Sequence, residues 1–363
     1  MHPPNVTDIA ARRLHTQRLV GEPFPSVVDA VRWLGAVQAQ DYGGAKWALG
    51  QRVHGATDAE LDRLYDEGAI LRTHVLRPTW HFVLPEDIHW MLALTGPRVL
   101  LGVAGRHRQL EIDEGVIARA REVFTEALAG GRSLTRAQLG ETLDAAGISP
   151  EGQRLPHLIM AAELDGLIAS GPRRGKQHTY TLLADRAPEA SPVDRTAALA
   201  ELTRRYFRSH GPAQLQDFVW WSGLTAADAR SGLELAGETL ERQAIDGQDY
   251  WCDPEAGPGG EVGGVAHLLP NFDEYTVAYR DRAAVHGDHP FDPSLFSFGS
   301  VLANVVTFDG RVRGAWRRTV EASAVRVEVR PLGRLDPDET SAVDEAGRRY
   351  SRFLDRPVEL TCL

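Results

Sequence analysis

The residues of this chain with the clearest chemical potential are two glutamines separated by one small residue, Gln38-Ala39-Gln40, followed at once by Asp41. A carboxamide oxygen accepts a hydrogen bond from water and presents a negative dipole to a cation. A carboxylate does both more strongly, as general base and as counter-charge. Glutamines at i and i+2 near a helix end do not share a helix face, and such a pair is also what an ordinary solvated surface carries. A second group comprises His74, Arg77, Trp80 and His81 in a β-like run; these could touch a ligand, and more often read as satisfied strand positions. A third is Asp273-Glu274-Tyr275, where an acid would either line a cleft or hold an arginine such as Arg280 or Arg282 in a structural ion pair. His286, Asp288 and His289 have no specific ligand spacing, and Cys252 and Cys362 give neither a disulfide framework nor a metal motif. No metal and no cofactor is expected, and no glycine-rich phosphate loop or CxxC occurs.

The elements that must position these groups are most legible in the middle of the chain. Residues 113–129 place Val116, Ile117, Ala120, Val123, Phe124 and Ala127 on one helical face. Gly130-Gly131 break that helix, Ser133 caps a second that ends at Gly147, and a third runs over 151–165. Two strand-like runs follow, joined by a basic turn at 172–177. Three helices and a hairpin with a cationic tip form a winged-helix pattern, in which one helix enters a groove and the wing reaches the DNA backbone. The pattern recurs at 194–252 and, less regularly, at 7–83, where helices are expected over 7–20, 26–38 and 57–67 and strands over 70–83. The predicted fold class is therefore α+β, with three tandem winged-helix units at 1–110, 111–190 and 191–253. A Gly-, Pro- and acid-rich linker at 253–264 leads to a β-rich C-terminal domain over 265–363, with strands at 265–269, 301–308, 312–318 and 324–329 and a terminal helix at 337–354.

A length of 363 residues suits two or three cores, and 43% hydrophobic with 25% charged residues is an ordinary globular balance. No apolar run is long enough to span a membrane and the N-terminus has no apolar signal core, so a cytoplasmic location is expected. The net charge of -10, taken alone, argues against a nucleic-acid binder. Salt, however, confines charge effects to about 8–10 Å, and the basic residues are clustered: Arg98, Arg106 and Arg108; Arg173, Arg174 and Lys176; Arg204, Arg205 and Arg208; Arg311, Arg313, Arg317 and Arg318. Lys46 and Lys176 are the sole lysines, and arginine is the better bidentate phosphate ligand.

Four stretches in order resemble one family, the winged-helix DNA glycosylases grouped as AlkZ-like and YcaQ-like. They are 37–41 (Val-Gln-Ala-Gln-Asp); Arg72-Thr73 with 77–83; 269–275 (Leu-Pro-Asn-Phe-Asp-Glu-Tyr) with 279–282; and 309–318, from Asp309 to Arg318. The resemblance implies hydrolysis of the N-glycosidic bond of N7- or N3-alkylated purines in double-stranded DNA, including bulky adducts or interstrand crosslinks from alkylating natural products. It assigns Gln38 and Gln40 as catalytic, on the Gln-x-Gln side of the family that is linked to self-resistance. An alkylated purine already carries ring charge and leaves as a neutral base, so positioning a water and stabilising a sugar cation is the work that remains.

Arg77, Arg173, Arg174, Lys176, Arg311, Arg313, Arg317 and Arg318 are the expected DNA contacts, with Asp41, His74, His81, Asp273 and Tyr275 as cleft-lining candidates. The Asp309-Gly310 turn is read as a hairpin that could wedge open a duplex or simply sit at the surface. Strand cleavage by a bifunctional glycosylase needs an amine nucleophile, and lysines are scarce; a monofunctional enzyme is expected, with Lys46 left open. Three unlike winged-helix units in one chain favour a monomer. The rival readings are a non-catalytic winged-helix regulator, which would not need the two glutamines, and a drug-sequestering resistance protein, whose acidic surface would suit a cationic toxin. The tryptophan pair Trp220-Trp221 reads as core packing.

Overall fold

The computed structural model describes residues 9–187, 193–257, 259, 260, 262–286, 304–321 and 323–363. Two compact units share the chain: one is built from Met1–Leu61, Thr203–Trp221 and Ala236–Leu363, the other from Asp62–Leu202 and Ser222–Leu235. Each draws on distant stretches, so neither coincides with the contiguous segments 1–110, 111–190, 191–253 or 265–363.

The unit containing Asp62–Leu202 holds the winged-helix motif. Helix Glu114–Leu128, strand Leu134–Thr135, helices Arg136–Ala145 and Arg154–Leu164, and strands Ile168–Arg174 and Gln177–Leu182 follow one another. The last strand pairs with both others, which closes the wing sheet. Thr135 and Gln138 form a reciprocal capping box that starts the middle helix, and Phe124, Leu128, Leu139, Leu143, Ile159 and Ile168 fill the core. One expectation changes here. Helix Arg154–Leu164 is placed where a winged helix would enter a groove, but it is buried from Leu158 through Leu164. Helix Pro85–Gln109 lies across it, so closely that a Cβ on Gly96 would stand 2.9 Å from the Leu164 carbonyl oxygen. The enclosed stretch Leu158–Leu164 is therefore not open to a DNA groove, while Arg154–His157 stays half-buried.

The other unit is organised by a five-stranded sheet. Its neighbours in order are Val358–Cys362, Val325–Pro331, Arg311–Val320, Asn304–Phe308 and Ala266–Leu269, antiparallel except for the first pair. Helix Pro337–Leu354 begins in a second capping box, Asp336 with Glu339. Its apolar face meets the helix Tyr42–Gly50: the Trp47 ring lies 4.7 Å from Tyr350 and 5.1 Å from Phe353, and its indole N–H donates to the Leu268 carbonyl at 2.7 Å. That bolt fixes the helix which follows the two glutamines. The expected strand 301–308 begins at Asn304 among the described residues; 301–303, like Asp288 and His289, fall outside them. Among the described residues no helix is long and apolar enough to cross a membrane.

Candidate active site

Helix Val27–Leu34 starts at Ser26, whose hydroxyl accepts the Asp29 N–H at 3.1 Å, and stops at Gly35, where φ is 79°. A side chain at that φ is strained, so the helix ends there and does not run on to residue 38 as its apolar pattern suggests. The backbone then extends through Val37–Gln38, and Asp41 opens the next helix by accepting the Gly44 N–H at 3.1 Å. Gln38 and Gln40 therefore occupy a short link between two capped helices, not a helix end. The strand covers Val37–Gln38 only, and the chain bends at Gln40 before the Asp41 cap, so the two glutamines differ in environment. Ala39 is fully buried, Gln38 is buried and Gln40 is exposed.

The link is held from behind by Glu274, itself 1% exposed. One carboxylate oxygen accepts the Gln38 backbone N–H at 2.7 Å; the other accepts the Trp221 indole N–H at 2.9 Å and lies 3.4 Å from His210 Nε2. Asp41, at the far end of the link, faces Arg318 at 3.6 Å, and Arg318 in turn donates to the Tyr350 hydroxyl at 3.0 Å. A Cβ on Gly44 would press to 2.8 Å from the Asp41 carboxylate and 3.2 Å from Pro270, so glycine is needed where this helix meets the sheet. The motif is thus clamped at its backbone, with one of its two amides open to solvent.

Residues 31–353 match the family model described as DNA glycosylase AlkZ-like. The chain belongs to this family of DNA glycosylases. It is 25% identical over 333 residues, 85% of this chain and 86% of the other, to an interstrand DNA cross-link repair glycosylase of Streptomyces sahachiroi. Its fold is similar to that of the Streptomyces sahachiroi DNA glycosylase AlkZ, with a TM-score of 0.79 and 21% identity over 98% of each chain.

The other expected site residues of the glycosylase are distributed differently from the sequence reading. Asp273 and Tyr275 are fully buried and do not line a cleft. Asp273 grips Arg52 with two bonds of 2.7 and 3.0 Å, a partner that no sequence spacing pointed to, in place of Arg280 or Arg282. The Tyr275 hydroxyl sits 2.9 Å from the Gly310 carbonyl and 3.2 Å from that of Ala10. In the hairpin Leu71–Val75 with Arg77–Val83, His74 is buried with Nδ1 on the Glu163 carboxylate and its ring 4.5 Å from Trp80. His81 is wholly enclosed, with Nδ1 on the Thr79 carbonyl at 3.0 Å; burial, helped by Arg77, holds its pKa well below the ordinary imidazole value. Both histidines are interior positions, not cleft surface. Arg77 opens the second strand, half-buried.

Most of the expected DNA-binding arginines already face acids or carbonyls. Arg173 meets Asp62 at 3.0 Å and Asp66 at 3.2 Å, and Arg174 bonds Gln138 and the Ser133 carbonyl. Arg313 chelates Glu339, Arg317 chelates Glu328, and Arg318 faces Asp41. The Asp309-Gly310 turn has the two positive φ angles, 48° and 79°, of a primed hairpin turn. It is tied down, however: Asp309 accepts the Gly264 and Val265 N–H groups, and Gly310 is buried against Tyr275 and Leu14. That tip is not a free wedge, although Arg311 beside it is exposed. Among the described residues, exposed cations without a carboxylate partner include Lys176 at the wing tip and Arg98 and Arg108 on helix Pro85–Gln109. Trp221 is core, while Trp220 is 44% exposed with its N–H on the Val277 carbonyl. No trio of His, Cys, Asp or Glu among the described residues could hold a metal.

Proposed function

We propose that this glycosylase hydrolyses the N-glycosidic bond of N7- and N3-alkylated purines in duplex DNA, as a monofunctional monomer, with Gln38 and Gln40 as the residues that meet the sugar and the attacking water. The observation that carries the reading is the short link between two capped helices: its backbone is held at Gln38 N–H and at the Asp41 cap, while Gln40 is exposed. Preorganised dipoles are effective because they need not reorient as charge develops. The lesion supplies leaving-group activation, and the amides supply water placement and a negative dipole. Bulky adducts and crosslinks belong to the proposed substrate range because the Streptomyces sahachiroi relative is named for interstrand cross-link repair. Lys46 supports the absence of lyase chemistry, since its ammonium is buried and bound to Asp58 at 2.7 Å.

The test is base release from duplexes carrying N7-methylguanine, N3-methyladenine or a bulky N7 adduct, followed by alkaline cleavage. Gln40→Ala should lose excision by about 10²-fold or more, the usual scale of a preorganised hydrogen-bonding dipole. Gln40→Asp should keep or raise it. A folded Gln40→Asp protein without activity refutes the mechanism, and a borohydride-trapped protein–DNA adduct refutes the monofunctional assignment.

A further inference from the structure

We propose that Glu274 is a positioning residue for excision, which fixes the Gln38 peptide and supplies, from one layer behind it, the negative charge that two neutral amides lack. The inference rests on the reading of Gln38 and Gln40 as the catalytic pair. The other buried acids described in the same unit each face an arginine: Asp273 faces Arg52 at 2.7 Å, Asp217 faces Arg13 at 3.6 Å and Glu339 faces Arg313 at 2.6 Å. Glu274 is different. Its donors are the Gln38 amide and the Trp221 indole, and the charged-capable group nearest to it is His210, whose ring stacks on Tyr206 at 4.9 Å. Among the described residues no arginine or lysine pairs with it.

Enclosing a carboxylate is expensive unless its oxygens are satisfied, and a carboxylate kept without a cation is an uncommon arrangement. Here two N–H bonds satisfy its oxygens, His210 Nε2 stands 3.4 Å away, and no arginine or lysine among the described residues is paired with it. One of those bonds goes directly to the backbone of the Gln-x-Gln motif. Buried charge is screened far less than surface charge, and this carboxylate lies 2.7 Å from the Gln38 backbone N, so its potential acts directly on the motif. A sugar cation facing the motif gains stabilisation that an isolated carboxamide dipole provides weakly. Glu274 makes no contact with substrate in this scheme; it acts through Gln38.

The experiment uses the full chain on an N7-methylguanine duplex and measures the single-turnover excision rate at saturating enzyme, the Kd for the same duplex and the thermal unfolding midpoint. Glu274→Gln should lower the rate by about 10- to 100-fold, that is about 1.4–2.7 kcal/mol, with Kd changed less than about threefold. Glu274→Asp keeps the charge on a shorter stem and should fall between the two. Should Glu274→Gln not fold, Glu274→Asp decides alone: a rate at the wild-type level overturns the proposal. So does a folded Glu274→Gln protein with the wild-type rate, or one whose rate and Kd deteriorate together. Gln40→Ala, run alongside, separates the two readings. If it is inactive while Glu274→Gln is normal, only the role of Glu274 falls; if it is fully active, the catalytic pair falls and the role of Glu274 falls with it.

Discussion

Asp273→Ala should be among the most damaging single changes in the chain, although its side chain touches no surface. Arg52, 1% exposed, and Asp273, fully buried, are joined by two charge-assisted bonds of 2.7 and 3.0 Å. Asp273 also caps the Tyr275 N–H at 2.9 Å. Removing one member of a buried pair costs about 3–5 kcal/mol, since the other charge is left behind, and losing a cap adds about 1 kcal/mol. The sum, about 4–6 kcal/mol, consumes much of a total stability of about 5–15 kcal/mol. Arg52 keeps bonds to the Gln17 carbonyl, the Gln17 side chain and the Ala48 carbonyl, which favours the lower end. Asp273→Asn retains one acceptor oxygen, enough for the cap and one guanidinium bond, and should cost less than Asp273→Ala. Arg52→Met with Asp273→Ala removes both charges, so the double variant should be less damaged than the sum of the singles. Urea unfolding, followed by the fluorescence of the buried Trp47 and Trp316, measures the wild type, the three single variants (Arg52→Met included) and the double. A cost below about 1 kcal/mol for Asp273→Ala, or strict additivity in the double variant, would show that this pair does not hold the sheet unit together.

Acid should weaken the fold through His267, which burial, together with Arg349, holds at about 4. Between that value and about 6.5 the unfolded chain binds a proton that the folded chain refuses, so stability is full above about 6.5 and lost as pH falls through the window. About 2 kcal/mol should be gone at pH 5, and His267→Asn should flatten that limb; equal urea midpoints at pH 7.5 and 5.0 for the wild type contradict it. Lys176→Ala removes the unpaired wing-tip cation and should reduce the slope of log Kd against log salt by about 0.9. An unchanged slope keeps this wing off the DNA.

What could be read in the sequence was what local chemistry dictates. The terminal helix Pro337–Leu354 is bounded as expected because Asp336, Pro337 and Glu339 form a capping signature and its apolar face is periodic. The winged-helix segment Glu114–Leu182 was legible for the same reason, with glycines between elements. Helix Pro85–Gln109 was not: it contains Pro97, and Trp90, Met91, Leu92, Leu94, Thr95 and Gly96 are all buried, so enclosure on several sides erased the amphipathic period. The helix Tyr42–Gly50 was hidden by Gly43, Gly44 and Gly50, which serve packing against Asp41, Arg318 and Phe353. In the site, the Gln-x-Gln link was visible as a motif, whereas its backing by Glu274, Trp221 and His210 joins residues more than fifty positions apart. The arginine clusters misled in a specific way. Charge density along the chain was real, but Arg173, Arg313 and Arg317 each meet carboxylates contributed by other elements, and sequence does not show which charges cancel.

The proposed mechanism also explains why a weak catalytic pair is an advantage. Neither Gln38 nor Gln40 has a proton to give at neutral pH, so neither can assist the departure of an unmodified purine, which is a poor leaving group. An alkylated purine carries that activation within its own ring. Discrimination then follows from the chemistry of the bond and needs no pocket tight enough to exclude normal bases. A snug pocket would instead exclude the large adducts in the proposed substrate range, because full extrusion into such a pocket costs a few kcal/mol and does not admit a crosslinked base. A protonated carboxylic acid in place of Gln40 would be needed to assist a normal base; on the proposal above, Glu274, one layer back on the Gln38 N–H, would act on the cation through Gln38 and offer the leaving group no proton.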